Sequence, residues 1–146
     1  MSGKVLIRAV RPSDIECLAR LNEQLGYDSD PTRMKVHLKQ VAQDPFHHLV
    51  VAAHEDVVVG FAHCFERPSV EKGLDLVVQS LVVNSDLRRT GIGRTLMAEV
   101  ERLAAEKSCE RVVLSSRIDR AEAHQFYQKL GYEIVATSVL LFKAVW

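Results

Sequence analysis

Two arginines, a threonine and two glycines one residue apart, Arg88-Arg89-Thr90-Gly91-Ile92-Gly93, follow a β-branched run ending at Val83 and precede residues at helical spacing. Glycine removes Cβ where a loop turns into a helix, so backbone N–H groups can close on a ligand. The first N–H groups of such a helix have no internal acceptor, and its dipole places about half a positive charge at that end. Phosphate suits that chemistry, and Arg88, Arg89 and Arg94 add guanidinium forks that match its oxygens. Spacing excludes two better-known phosphate loops. G-x-G-x-x-G fails at Leu96, and G-x-x-x-x-G-K-[ST] fails at both Arg88 and Arg94.

What remains, Arg88-x-x-Gly91-x-Gly93 between strand and helix, resembles the pyrophosphate loop of the GNAT superfamily of acyl-CoA-dependent N-acetyltransferases, Gln/Arg-x-x-Gly-x-Gly/Ala. A second stretch, Ala123-His124-Gln125-Phe126-Tyr127-Gln128-Lys129-Leu130-Gly131-Tyr132, resembles the same family's C-terminal helix, Ala-x-x-Phe-Tyr-x-x-x-Gly-Phe/Tyr. The motifs come in the family's order and cover about the last half of the chain.

The resemblance implies acetyl-CoA as cosubstrate, held by Arg88, Arg89, Thr90, Gly91, Ile92, Gly93 and Arg94, with backbone groups of Leu81, Val82 and Val83 offered to the pantetheine arm. It implies Tyr127 as the acid that protonates the departing thiolate; a phenol of pKa about 10 keeps its proton at neutral pH. Spacing alone equally describes Tyr127 as a core aromatic. Arg120 stands where relatives often have an asparagine contacting the cofactor, and it reads either as a phosphate ligand or as an exposed first-turn arginine. Many relatives place a glutamate base on the strand before the loop, where this chain has Val77 and Gln79. Asp75, Glu71, His63 or an ordered water then stand as candidate bases, although His63 also reads as a packed strand residue. Tyr27, Asp28 and Asp30 either meet a cationic amine or form a solvated turn with a helix cap.

The acetyl group would pass to a primary amine of a small metabolite, an amino acid or peptide, or a protein lysine. One competing reading is a catalytically silent acyl-CoA-binding or regulatory module. Another, a nucleotide-binding α/β protein, is disfavoured by the failed motifs.

The elements that must position these groups fit one domain, since 146 residues can bury a core unaided. Lys and Arg balance Asp and Glu at 19 each, which argues against nucleic acid or an anionic membrane as partner. Three scattered cysteines, Cys17, Cys64 and Cys109, fit reduced thiols, and no His/Cys spacing suggests a metal. No apolar run suits a signal peptide or a membrane span, so a cytoplasmic location is expected.

Periodicity predicts a strand over Val5 to Val10, a helix from about Ser13 or Asp14 to Leu25, and a second helix over Met34 to Val41 ending near Asp44-Pro45. A hairpin follows, His48 to His54 with Val57 to Phe65, then a loop from Arg67 to Gly73 and a strand from Leu74 to Val83. After the phosphate loop come a helix striped by Ile92, Leu96, Val100 and Leu103, a strand Val112 to Leu114, and a helix ended by Gly131. Tyr132 to Ala136 and Val139 to Val145 read as a final hairpin, and the resemblance implies a possible homodimer through exposed C-terminal strand edges. The fold class is α/β (α+β): a twisted, mixed but mostly antiparallel sheet flanked by helices, as in acyl-CoA N-acyltransferases.

Overall fold

The computed structural model describes residues 4–27 and 30–146, so Asp28 lies outside the described residues. The chain divides into two compact units, Met1–Leu114 and Ser115–Trp146.

The first unit holds β1 (Val5–Ala9), α1 (Ile15–Glu23), α2 (Pro31–Gln43), β2 (His47–His54), β3 (Val57–Ser69), β4 (Gly73–Val83), α3 (Ile92–Glu106) and β5 (Arg111–Leu114). The strands form one sheet in chain order, antiparallel from β1 to β4 and parallel between β4 and β5. Local chemistry explains the joints. Glu55 and Asp56 both take positive φ, 50° and 67°, in a two-residue turn whose twist matches the β2–β3 hairpin. Asp14 accepts from the Arg11 N–H at 2.7 Å and pairs with both terminal nitrogens of Arg8 at 2.8 and 2.9 Å, which ties β1 to the start of α1.

One departure from the sequence reading lies in β3, which continues through Pro68 to Ser69 where a loop was expected. The last β2 partner of β3 is Phe65, opposite His47, so Pro68 sits where β3 has become an edge and needs no donor on that side.

Alternation divides the sheet into two packed faces. Leu18 and Leu21 of α1 bury against Val51, Phe61 and Val82. The adjacent residue of β3, Gly60, faces α3: a Cβ there would lie 2.9 Å from the Val82 carbonyl oxygen, 3.2 Å from Leu96 and 3.4 Å from Ile92. The missing side chain lets α3 sit directly on the sheet, with Leu96, Met97 and Val100 fully buried.

Asp75, like Asp14, is a charged residue buried in this interior. It lies opposite Arg67 on β3 and Arg111 on β5, and accepts from Arg111 Nε and Nη2 at 2.9 and 2.8 Å while Arg67 stands 3.6 Å away. The forked contact pins the short parallel strand in register. Asp75 is thereby removed as a candidate base, since its carboxylate is only 1% exposed and is held below the usual carboxylate range by the Arg111 hydrogen bond.

In the second unit, α4 (Ala121–Lys129) has a half-buried stripe of Ala123, Phe126 and Tyr127 and ends at Gly131, φ 98°. The two strands expected over Tyr132 to Ala136 and Val139 to Val145 are not formed. A strand exists only with a ladder partner, and here none of residues 132–146 has one among the described residues; Leu140 and Phe142 are 92% and 91% exposed. Cys17, Cys64 and Cys109 are free thiols, and burial pushes that of Cys64 up to about 12. No helix among the described residues is long and apolar enough to cross a membrane.

Because the Asp75 carboxyl is depressed when folded, its stabilisation is complete above the unfolded carboxylate pKa and is lost as pH falls through the folded value. Asp75→Asn is expected to lower the melting temperature at pH 7 by about 5 °C and to flatten the loss of stability below about pH 4. Parallel melting curves for the two proteins from pH 7 to pH 3 would contradict this.

Candidate active site

The end of β4 is held on both sides before the loop begins. The Asn84 N–H donates to the Val59 carbonyl at 2.8 Å, and the Ser85 N–H donates to Gln24 Oε1 at 2.9 Å. A single 3-10 turn, Ser85–Leu87, is capped by the Asn84 side chain, and the chain then extends at Arg88. Arg89 takes φ 66° and Gly91 φ 92°, two left-handed residues within three. A non-glycine residue there costs about 1–2 kcal/mol.

Gly91 is the N-cap of α3, and the first intrahelical bond is from the Thr95 N–H to the Gly91 carbonyl at 3.0 Å, doubled by the Thr95 hydroxyl at 2.9 Å. The N–H groups of Ile92, Gly93 and Arg94 have no acceptor among the described residues. Arg88, Arg89, Thr90, Gly91 and Arg94 are exposed around them. The Ile92 side chain is buried, so this residue can offer a ligand its N–H alone. Gly93 lies inside the first turn of α3, past the loop where the sequence suggested it. A Cβ at Gly91 would meet no protein atom within 4 Å, so space above the loop is open and positive φ is what the fold itself demands of that residue.

Beside the loop, β4 outruns its neighbour. Asp75 to Val78 pair with β5, which ends at Leu114, while Gln79 to Val83 pair only with β3. Leu81 and Val83 therefore turn backbone polar groups to a side with no ladder partner among the described residues, while the backbone of Val82 between them is turned to Phe61 on β3. The β3–β4 register also slips here: His63 faces Ser80 and Cys64 faces Val78, leaving Gln79 as a bulged, exposed residue.

Of the other candidate bases, Glu71 lies in the β3–β4 turn, beyond the Ser69–Gly73 pair and about 20 Å along the strand from Gln79. His63 is half-buried on β3, its Nε2 2.9 Å from His47 Nδ1, and burial with the neighbouring imidazole pushes it down to about 4. Sequence reading did not pair these histidines, since only the hairpin register brings residues 47 and 63 together. Tyr27 is exposed, and Asp30 spends its carboxylate on the Thr32 N–H as the cap of α2, which fits the turn reading.

In the second unit, Arg120 is the exposed N-cap residue of α4 and its carbonyl accepts from the His124 N–H at 3.2 Å. Tyr127 packs edge-on against Phe126 and Tyr132, with ring centroids 5.0 and 5.9 Å away. Burial raises its phenol above the ordinary value, against an opposite pull from Arg120, so it holds its proton throughout the neutral range.

A loop with unspent amides at a helix start, beside a parting of parallel strands, defines an acyltransferase class of fold. Residues 15–132 match the family model described as Acetyltransferase (GNAT) family, and the chain belongs to that family. It is 25% identical to N-alpha-acetyltransferase 50 of Danio rerio over 99% of this chain and 84% of that protein. It is also 25% identical to thialysine N-epsilon-acetyltransferase of Bos taurus, covering 87% and 83% of the two chains. The fold is similar to that of aminoglycoside N-acetyltransferase AAC(6')-Iy in complex with CoA, with a TM-score of 0.87 at 19% identity over 98% of this chain and 97% of that one.

Gly91→Val places a branched side chain in the open space and strains a residue at φ 92°. Calorimetric titration with CoA is expected to show at least about tenfold weaker binding, with a stability loss of about 1–2 kcal/mol from the backbone. Unchanged affinity would remove this loop from the binding site.

Proposed function

We propose that this chain is an acetyl-CoA-dependent N-acetyltransferase that moves the acetyl group to a primary amine by direct attack. The single observation that carries the reading is the row of unspent N–H groups at Ile92, Gly93 and Arg94, beneath an open approach at Gly91 and beside free backbone on β4. Those amides, with Arg88, Arg89, Thr90 and Arg94, would hold the pyrophosphate, and Leu81 to Val83 would hold the pantetheine amides as a strand would. Arg120 is an additional phosphate ligand in this reading.

Positioning both reactants removes much of the entropic barrier, worth several kcal/mol. Tyr127 donates its proton to the thiolate as the C–S bond breaks; its phenol is protonated and available at neutral pH. The family match runs through both compact units, which supports residues 1–146 acting as one N-acetyltransferase domain. The partners in this reading are acetyl-CoA and an amine acceptor, without metal; the balanced charge supports a protein that binds neither nucleic acid nor an anionic membrane, and the three scattered cysteines support a cytoplasmic one.

A homodimer is part of the same reading. Residues 132–146 present exposed Val139, Leu140, Leu141, Phe142 and Trp146, more apolar surface than a monomer ordinarily leaves in water. The outer edge of β5 has no strand partner among the described residues, so a second copy can cover both features. Light scattering on the purified protein is expected to give twice the chain mass, and a monomer at micromolar concentration would refute this part.

One observation favours a second reading. Val77 and Gln79 are not bases, as a silent acyl-CoA-binding module would allow. Acetyl-CoA-dependent thiol release over a panel of primary amines separates the two, since CoA binding without turnover on any amine would select the module. Tyr127→Phe is expected to lower kcat about 10²-fold with CoA affinity unchanged. Unaltered kcat would take Tyr127 out of the mechanism.

A further inference from the structure

An alkylamine reaches neutral water as an ammonium ion, so acetyl transfer needs a group with a bare lone pair near the acceptor. Within the first unit, Asp75 is consumed by Arg111, Glu71 is remote, and Val77 and Gln79 carry no basic atom. His63 is differently placed. Its register partner is Ser80, so it stands one strand, about 4.8 Å, from the stretch of β4 that has parted from β5. Leu49, Val51 and Phe61 on the same face bury under α1, while His47, His63 and Phe65 continue that face past the helix as half-buried residues.

Two groups stand in line behind it. Asp44 is oriented by the Phe46 N–H, which donates to its Oδ1 at 2.9 Å, and its Oδ2 lies 3.8 Å from His47 Nε2. His47 stacks on Phe65, centroids 5.0 Å apart, and its Nδ1 meets His63 Nε2 at 2.9 Å. In a neutral imidazole one nitrogen carries hydrogen and the other accepts. The Asp44 carboxylate, too far at 3.8 Å for a direct hydrogen bond, favours a proton on His47 Nε2 by charge alone. In that tautomer His47 Nδ1 accepts, His63 Nε2 donates, and His63 Nδ1 is left with its lone pair bare.

We infer that His63 is the general base that removes the acceptor's ammonium proton, directly or through one water, with His47 and Asp44 as positioning residues behind it. The inference rests on the acetyl-transfer reading. As the ammonium N–H bond breaks, His63 Nδ1 gains the proton, His63 Nε2–H passes to His47 Nδ1, and the His47 Nε2 proton leaves to water; exchange with water then returns both imidazoles to their starting tautomers. The free amine attacks the thioester carbonyl, forming C–N and breaking C–S. Its second proton leaves through water to restore Tyr127, which has protonated the thiolate. One proton is released in all. Burial keeps His63 uncharged in the resting protein, so its free lone pair is available at neutral pH.

His63→Ala, assayed with the fastest amine of the panel, is expected to lower kcat about 10²-fold at pH 7 while leaving the KM for acetyl-CoA and the melting temperature nearly unchanged. The deficit should shrink as pH approaches the amine's own pKa, where solution supplies the neutral form, and added imidazole should restore part of the rate. His63→Gln, which keeps a hydrogen bond to His47, serves if alanine unfolds the hairpin, and nitrogen NMR of the wild type should find the His63 proton on Nε2. Turnover by wild type with His63→Ala equally fast, or a loss that is the same at every pH and not rescued, overturns the base alone. A wild-type protein that binds CoA and turns over no amine overturns acetyl transfer and the base with it.

Discussion

Backbone amides that the fold cannot satisfy by itself are the constraint on which this structure turns. A buried or partly buried N–H without an acceptor carries a cost, and proteins rarely leave several together. Here the start of α3 leaves Ile92, Gly93 and Arg94 in that state, and the five last residues of β4, Gln79 to Val83, have no partner strand on the β5 side. Both arise from one event, in which β4 outruns β5 and passes through two left-handed residues into a helix.

The rest of the first unit holds that event in place. Gly60 lets α3 settle on the sheet, and Ile92, Leu96, Met97 and Val100 lock it there, so the amides at its start are rigidly aimed. Asp75 clamps Arg111 and keeps β5 registered over only four residues, which sets where the strands part. On the other face, Arg8 and Asp14 bring α1 onto Phe61 and Val82, and Gln24 just past the end of α1 reaches Ser85 at the loop. A polar clamp, a missing Cβ and an apolar seam thus converge on one short loop.

The errors of sequence reading are instructive because each concerns distance along the chain. Pro68 suggested a loop, but an edge position makes its missing donor harmless. Val139 to Val145 form an apolar run of strand length, yet pattern states only that the segment wants burial and does not provide the neighbour that would bury it. Asp75 looked free as a base until Arg111, 36 residues on, proved to hold it. The pairing of His47 with His63 left no local signal at all, since it depends on the register of a hairpin whose turn is at Glu55-Asp56.

From its sequence alone, this chain determined the strand-to-helix junction at Arg88 to Arg94, the Phe126-Tyr127 helix and the order of elements up to that helix. Those features are written in contiguous residues whose backbone preferences act over a turn or a strand. Tertiary structure alone decided that Asp75 is spent, that β4 runs on past the end of β5, and that His47 meets His63. The reason is physical: a side chain's charge state and free valence depend on what strand register and helix packing bring against it, and those partners lie far away in the chain.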